Sequence, residues 1–422
     1  MLDVTSVLIG NFFAGFVSWI HSLTPWQIAG ILSLMLIDVS RNVGKTIVLI
    51  LFKIKRHFRP LHFGTASITN PKISLIIPAH NESVSIKKTI MSALENPYRN
   101  KEIIIVDDHS TDDTYQQALP FHERGLIKLV KRSGGKGSRA AAVNYGTLYA
   151  TGDIWMITDG DTLIGRNSLT EVAKYLSLED VVAVLGNVRV LSGDGGITNL
   201  VTKCQSYEYL ISFELGKRVR TIMNILVIIP GAFGAFRKET GAKIGLYDKD
   251  TLTEDFDLTL KIFKTGGNVE FVPDVIAWTF CPSTWKAWYR QRIRWSHGQI
   301  VTLLKHRDIV TTRNVKYPLL FVWGVYDMMF IDVILLFART ISIIWILFDF
   351  TQFIPYVFTL VFLIYLVSEF IAIVTAGIFS PIKSDFKYIY LLPFMLIVYR
   401  PVYSYIRLYA FIKVLMGKGV EW

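Results

Sequence analysis

Residues 73–78 read ISLIIP and residues 102–108 read EIIIVDD. Both runs are short, β-branched and apolar without alternation, the pattern of strands covered on both faces. The second closes on two acids, Asp107 and Asp108. Between them, Ile86 to Leu94 has helical spacing. Working outward, a polar turn precedes a helix near Tyr115 to Arg124. Leu126 to Val130 is a further strand. A Gly-rich loop then leads into a helix through Ala140 to Ala150, and Ile154 to Thr158 is a strand ending at Asp159. Strands alternating with helices predict an α/β domain with a mostly parallel sheet. Ligands of such sheets sit beyond the carboxyl ends of the strands, where the acids at 107, 108, 159 and 161 fall.

Both flanks have a different texture. The chain of 422 residues is 51% hydrophobic, with a mean hydropathy of +0.39. That is too apolar for an ordinary soluble enzyme. Apolar stretches run from Val7 to Ile20 and from Trp26 to Phe52, giving one or two membrane segments. Lys53, Lys55, Arg56 and Arg59 follow, a basic cluster that predicts a cytoplasmic catalytic domain. Beyond Tyr317 further spans are expected near 327–348, 353–375 and 388–415, each of about 20 apolar residues. The predicted organisation is a membrane portion at 1–56, a catalytic domain at 57–283, amphipathic interfacial helices at 284–316 and membrane helices at 317–422. The chain is thus expected to be a multi-pass protein of the cell membrane, in contact with its lipids. The net charge of +11 suits a membrane surface or anionic substrates. No basic run interleaved with stacking aromatics is present, which argues against nucleic acid. Cys204 and Cys281 show neither metal-ligand spacing nor a disulfide framework.

Five motifs carry chemistry. Asp159-Gly160-Asp161 offers two carboxylates to one hard cation, Mg²⁺ or Mn²⁺, shared with substrate phosphates, although Asp and Gly also favour plain turns. Asp107 and Asp108 can bind a base or ribose, and Ser110 or Asp112 can equally cap the next helix. Residues 133–146, SGGKGSRAAAVNYG, combine a loop able to approach an anion with a helix start and the cations Lys136 and Arg139. Thr253-Glu254-Asp255 supplies a carboxylate for proton abstraction, or an acidic helix N-terminus. Gln291-Arg292-Ile293-Arg294-Trp295 supplies cations for a diphosphate and a ring for a sugar face; its alternative is a basic interfacial helix.

In this order the motifs resemble the processive family 2 glycosyltransferases of GT-A fold, which include cellulose, chitin, hyaluronan and poly-N-acetylglucosamine synthases. Residues 231–237, GAFGAFR, and the closing run YRPVYSYIRLYAFIKVL are most similar to the poly-N-acetylglucosamine branch. The resemblance implies an inverting transfer from a UDP-sugar to a growing glycan or a lipid-linked acceptor. It implies that Glu82, Asp107 and Asp108 hold the uridine, and that Asp159 and Asp161 hold the metal and diphosphate. Asp255, with Glu254 beside it, would be the catalytic base. Gln291, Arg294 and Trp295 would bind diphosphate and acceptor, with Gly231 on the acceptor side. The family carries Lys where this chain has Arg139, so Lys136 and Arg139 both stand as donor contacts. A small membrane partner subunit is compatible with this reading. Its rivals are a single-addition transferase acting on a lipid-linked acceptor, a hyaluronan, chitin or glucan synthase, and a non-catalytic nucleotide-binding membrane subunit.

Overall fold

The computed structural model describes residues 2–58, 70–225, 227–311, 317–328, 332–349 and 354–417. Arg59, the side chains of Lys55 and Arg56, and residue 316 at the expected joint before the last segment lie outside the described residues.

Eight strands form one sheet: β1 (Ile73–Ala79), β2 (Lys101–Asp108), β3 (Lys128–Arg132), β4 (Ile154–Thr158), β5 (Thr162–Ile164), β6 (Val181–Gly193), β7 (Phe233–Arg237) and β8 (Asn268–Cys281). Their spatial order is β3-β2-β1-β4-β7-β6-β8-β5. Parallel pairings outnumber antiparallel ones four to three. β1, the strand at ISLIIP, is buried along its whole length. It sits between β2 and β4, with Ala79 opposite Asp107. The helix Arg139–Thr147 lies close on this half, because a Cβ at Gly146 would stand 2.6 Å from Ile76 and 2.9 Å from Val106. The acidic pair does not follow β2 but forms its last two residues, opposite Lys131 and Arg132 of β3. Strands β5, β7 and β8 carry no apolar run like those of the first four, whereas β6 opens on one, VVAVL at 181–185. β6 and β8 are long, bent by register shifts, and β7 grows out of the GAFGAFR segment.

Glu102 fastens the far edge of the first half. Its carboxylate accepts from Ser74 Oγ (2.5 Å), Lys128 Nζ (2.8 Å) and the Thr151 backbone N–H (2.7 Å), joining β1, β2 and β3 to the turn before β4.

Helices Leu2–Ser22 and Pro25–Phe58 precede the sheet. Among the described residues two helical runs are long and apolar enough to cross a membrane, Ile354–Phe379 and Lys383–Leu415. The second is not one regular helix: a 3-10 stretch (Lys383–Leu391) and a π turn (Met395–Tyr399) precede its α-helical end, Arg400–Leu415. The stretch expected as a span at 327–348 contains the helix Asp332–Asp349, and residues 329–331 are outside the described set. Two acids in these apolar parts are paired, among the described residues. Asp327 accepts from Arg41 (2.9 Å) and Arg220 (3.2 Å), and Glu369 from Arg400 (2.6 Å) and the Tyr207 hydroxyl (2.9 Å). Pairing is what makes such charges tolerable away from water.

Along the helix Trp285–Lys305 the rings divide: Trp285 and Tyr289 are exposed, Trp295 is half-buried and Trp288 is buried. Trp288 is 1% and Arg292 0% exposed. Its second half meets the helix Glu254–Lys264 through Gly298, where a Cβ would stand 2.6 Å from Thr253 Cγ2. Thr253 and Thr302 hydroxyls meet at 3.0 Å, and His306 Nε2 meets Asp257 at 2.9 Å.

Two outcomes follow from this packing. Burial alone would raise the Glu102 pKa, but its hydrogen bonds prevail and hold it at about 2, below the ordinary 4.5. A depressed carboxylate stabilises the fold above its unfolded pKa. Glu102→Gln should therefore cost about 1–3 kcal/mol at neutral pH, with the deficit shrinking as pH falls from 4.5 towards about 2; thermal melts across that range read it. Gly298→Val should drive the two helices apart and abolish transfer while UDP binding is retained, as measured by nucleotide titration beside a turnover assay.

Candidate active site

The nucleotide end is built on the tips of β1 and β2. Asp107 is 1% exposed, and neither carboxylate oxygen has a hydrogen-bond partner among the described residues. A buried group that can only accept is suited to the N–H of a base. Asp108 is differently employed. It accepts from Arg132 Nε (2.7 Å) and the Ser138 backbone N–H (2.8 Å), and meets His109 Nδ1 at 2.9 Å. Arg132 also donates to the carbonyls of Gly134 (2.5 Å) and Lys136 (2.7 Å). The Gly-rich loop is thus held in shape by an Asp–Arg pair beneath it, and the Lys136 side chain stands exposed. His80 Nδ1 is taken up by the Asp108 carbonyl at 2.7 Å. His109 occupies the left-handed region (φ 62°), a turn position and not a metal-ligand one.

Glu82 follows β1 and packs on Gly160, where a Cβ would stand 3.0 Å from Glu82 Cγ. Burial raises its pKa. The Ser85 hydroxyl, donating at 2.6 Å, opposes this, while Asp159 adds to it. Asp161 is pushed up to about 7, first by burial and then by Asp159 and Glu82, against the hydroxyls of Thr162 (3.1 Å) and Thr279 (3.4 Å). Acids crowded enough to resist ionisation are a fit environment for a divalent cation, which would relieve their repulsion. Among the described residues no three such side chains already converge on one point. The chain itself offers the two carboxylates of Asp159 and Asp161, the mode in which small hard cations leave positions for phosphate and water.

Arg139 ties the centre together. Its Nε donates to Asp159 Oδ1 (2.6 Å), Nη1 to Glu254 Oε1 (3.2 Å) and Nη2 to the Gly231 carbonyl (2.6 Å). The Gly231 N–H in turn donates to Asp255 Oδ2 (2.9 Å), while Asp255 Oδ1 accepts the Phe256 N–H (2.8 Å). One guanidinium therefore brings together three segments that lie 20, 92 and 115 residues along the chain from Arg139 itself. Burial raises the Glu254 pKa, Arg139 lowers it, and Asp255 raises it again. Nearby, burial pushes Lys217 down to about 7 although Asp255 opposes this; its Nζ donates to the Ile228 carbonyl at 2.5 Å, ahead of Gly231.

Gly298 brings the helix carrying Gln291, Arg294 and Trp295 against Thr253. Gln291 Oε1 accepts from Arg292 Nη1 at 2.6 Å. Trp295 is half-buried beneath the Arg292 guanidinium, 4.3 Å from its ring centroid. Arg294 is exposed. The charges of Arg292 and Asp161 both act on Tyr209 and Cys281. Asp107 stands apart at the tip of β2, with β1 and Glu82 between it and Asp159. Arg132, Lys217, Glu208 and Arg292 were not singled out by sequence. Only Arg292 had a signal, its place inside QRIRW three residues before Trp295.

Comparison with known proteins bears on the family and the fold. Residues 74–240 match the model of the glycosyl transferase family 2. The probable glycosyltransferase YdaM of Bacillus subtilis (strain 168) is 31% identical over 281 residues, 63% of this chain and 64% of that protein. The poly-beta-1,6-N-acetyl-D-glucosamine synthase of Staphylococcus aureus (strain COL) is 29% identical over 65% of this chain and 62% of that protein. The chain thus spans less than two thirds of the length of these relatives. Among solved structures, mannosyltransferase PcManGT from Pyrobaculum calidifontis, in complex with GDP-Man and Mn²⁺, has the same fold at a TM-score of 0.60 and 20% identity, over 93% of this chain and 99% of that one. Residues 74–240 are thus similar to the glycosyl transferase family 2 domain, and the chain is built on the GT-A fold.

Proposed function

We propose that this chain is a membrane-bound, inverting glycosyltransferase that polymerises N-acetylglucosamine from a UDP donor into a β-linked polysaccharide and passes the product outward. The observation that carries the reading is the Arg139 bridge. It joins the aspartate proposed for the donor diphosphate, the Glu254 beside the base, and the loop whose N–H holds that base. The choice of sugar is supported by the likeness to a poly-N-acetylglucosamine synthase. The membrane setting is supported by the two long apolar helical runs.

In this reading the uracil lies against the unpartnered carboxylate of Asp107. Glu82 closes the ribose side, and Asp108 acts through the loop that it holds. Asp159 and Asp161 are the residues for Mg²⁺ or Mn²⁺, which when bound supplies a Lewis acid to the departing diphosphate. Arg139 places a fixed cation beside the same leaving group, with Lys136 at the open end of the loop. Asp255 has one backbone N–H on each oxygen, leaving each a further lone pair. One of these takes the proton of the acceptor hydroxyl as that oxygen attacks the anomeric carbon. The bond to the diphosphate breaks on the opposite face, so an α-linked donor yields a β-linkage. Trp295 offers its ring to the acceptor sugar, flanked by Gln291, and Arg294 supplies charge at the cleft mouth.

Asp255→Asn should lower transfer by roughly 100-fold or more, the contribution of a positioned base, with UDP affinity nearly unchanged; near-normal UDP release by the purified variant overturns the base assignment. A panel of UDP-sugars should give product from UDP-N-acetylglucosamine only, lost on chelation and restored by Mg²⁺ or Mn²⁺. Digestion by a β-N-acetylglucosaminidase checks the sugar and linkage. A ladder of lengths supports polymerisation, whereas a single added residue would refute it.

A further inference from the structure

Arg292 is the most deeply buried charge in the QRIRW segment. It is fully buried on the helix Trp285–Lys305, where a guanidinium is costly unless each face and donor is used. Its Nη2 donates to Glu208 Oε2 and its Nη1 to Gln291 Oε1, both at 2.6 Å. Its plane lies 4.3 Å from the Trp295 ring centroid, with Trp288 at 5.9 Å and Tyr403 at 5.7 Å. Nε has no partner among the described residues, so those two acceptors and three rings supply its compensation. Glu208 Oε2 also accepts the Tyr399 hydroxyl at 2.5 Å, and the Tyr399 oxygen accepts Trp288 Nε1–H at 2.6 Å. Tyr399 closes the π turn of the run Lys383–Leu415. An unbroken chain of contacts therefore passes from that run through Glu208 to Arg292, and from Arg292 to Gln291 and Trp295.

We propose that Arg292 is the positioning residue of the acceptor platform, fixing the Trp295 ring and the Gln291 amide, and that Glu208 and Tyr399 tether it to the last membrane-crossing run. The proposal rests on the acceptor role given to Trp295 above. A flat cation over an indole fixes ring tilt and position, and a lysine ammonium could not make both hydrogen bonds and the stack together. Where Trp295 stands against Asp255 is thereby set partly by where Tyr399 stands. The platform on which a sugar rests is held from the membrane side as well as by its own helix.

The test uses the full chain in lipid nanodiscs with Glu208→Gln, Tyr399→Phe and Arg292→Lys, the first two being nearly isosteric. Two readouts are taken: KM for a β-linked N-acetylglucosamine oligosaccharide against the affinity for UDP with Mn²⁺, and the ¹⁹F resonance of Trp295 in 5-fluorotryptophan-labelled protein, identified by its loss in Trp295→Phe. Each variant should raise the oligosaccharide KM by roughly tenfold, the loss of one charge-assisted hydrogen bond, leave UDP affinity unchanged and move the Trp295 resonance. A Trp295 resonance unmoved in Glu208→Gln and Tyr399→Phe overturns the proposal. So does a parallel fall of UDP affinity and turnover, the mark of a residue that only holds the fold. If the wild type does not elongate the oligosaccharide, the sugar assignment under the proposed function falls, and the resonance alone decides the positioning role.

Discussion

The guanidinium of Arg139 is the constraint on which the site depends. It stands at the first turn of a helix that begins beyond the Gly-rich loop. From there it reaches an aspartate after β4, a glutamate that opens another helix, and a carbonyl in the loop before β7. Burial first, and then repulsion between neighbouring carboxylates, raises the pKa values of Glu82, Glu254 and Asp161. A fixed cation among them offsets that repulsion within the chain itself. The same side chain that makes the cleft foldable is the one that presents positive charge where a diphosphate would leave.

Beneath it the two halves of the cleft are held by different physics. The nucleotide half depends on parallel strands whose buried apolar runs set the register, so that Asp107 and Asp108 fall at neighbouring strand tips. The acceptor half depends on helix contacts: Gly298 against Thr253, His306 on Asp257, and Arg292 on Glu208. Lys305 adds contacts at 2.7 to 2.9 Å with Asp248, Asp250 and Asp257, so the helix bearing Trp295 is pinned along its second half to the one bearing Asp255.

What was legible in the sequence follows the same division. ISLIIP and EIIIV announce themselves because a strand buried on both faces has no polar alternation, and the helix bounds at 86–94 and 285–305 follow from spacing. Most of the later strands were hidden. Asn268–Cys281 mixes polar and apolar residues around register shifts, and Phe233–Arg237 contains only five residues, whereas VVAVL at 181–185 is a signal of the same kind as ISLIIP. Single motifs such as Asp-Gly-Asp or Thr-Glu-Asp are ordinary turn and helix-start chemistry until their order is considered. Partners distant in sequence left no local trace. Nothing near Glu208 indicates that it receives Arg292 and Tyr399, and nothing near Arg132 indicates that it shapes a loop over Asp108. The rings and cations of the helix 285–305 are divided between an exposed face, with Trp285, Tyr289 and Arg294, and a buried one, where Arg292 meets a counter-charge and a stack.

The placement of β7 bears on how such an enzyme can move. Phe233–Arg237 lies hydrogen-bonded between β4 on one side and β6 on the other, so the stretch proposed for the nucleotide and the stretch proposed for the acceptor share one uninterrupted ladder. They cannot swing like two jaws about a hinge, because opening would tear main-chain hydrogen bonds in the interior of the sheet. Repetitive turnover in this architecture must instead be carried by surface loops and by sliding of the packed helices over a floor that stays rigid.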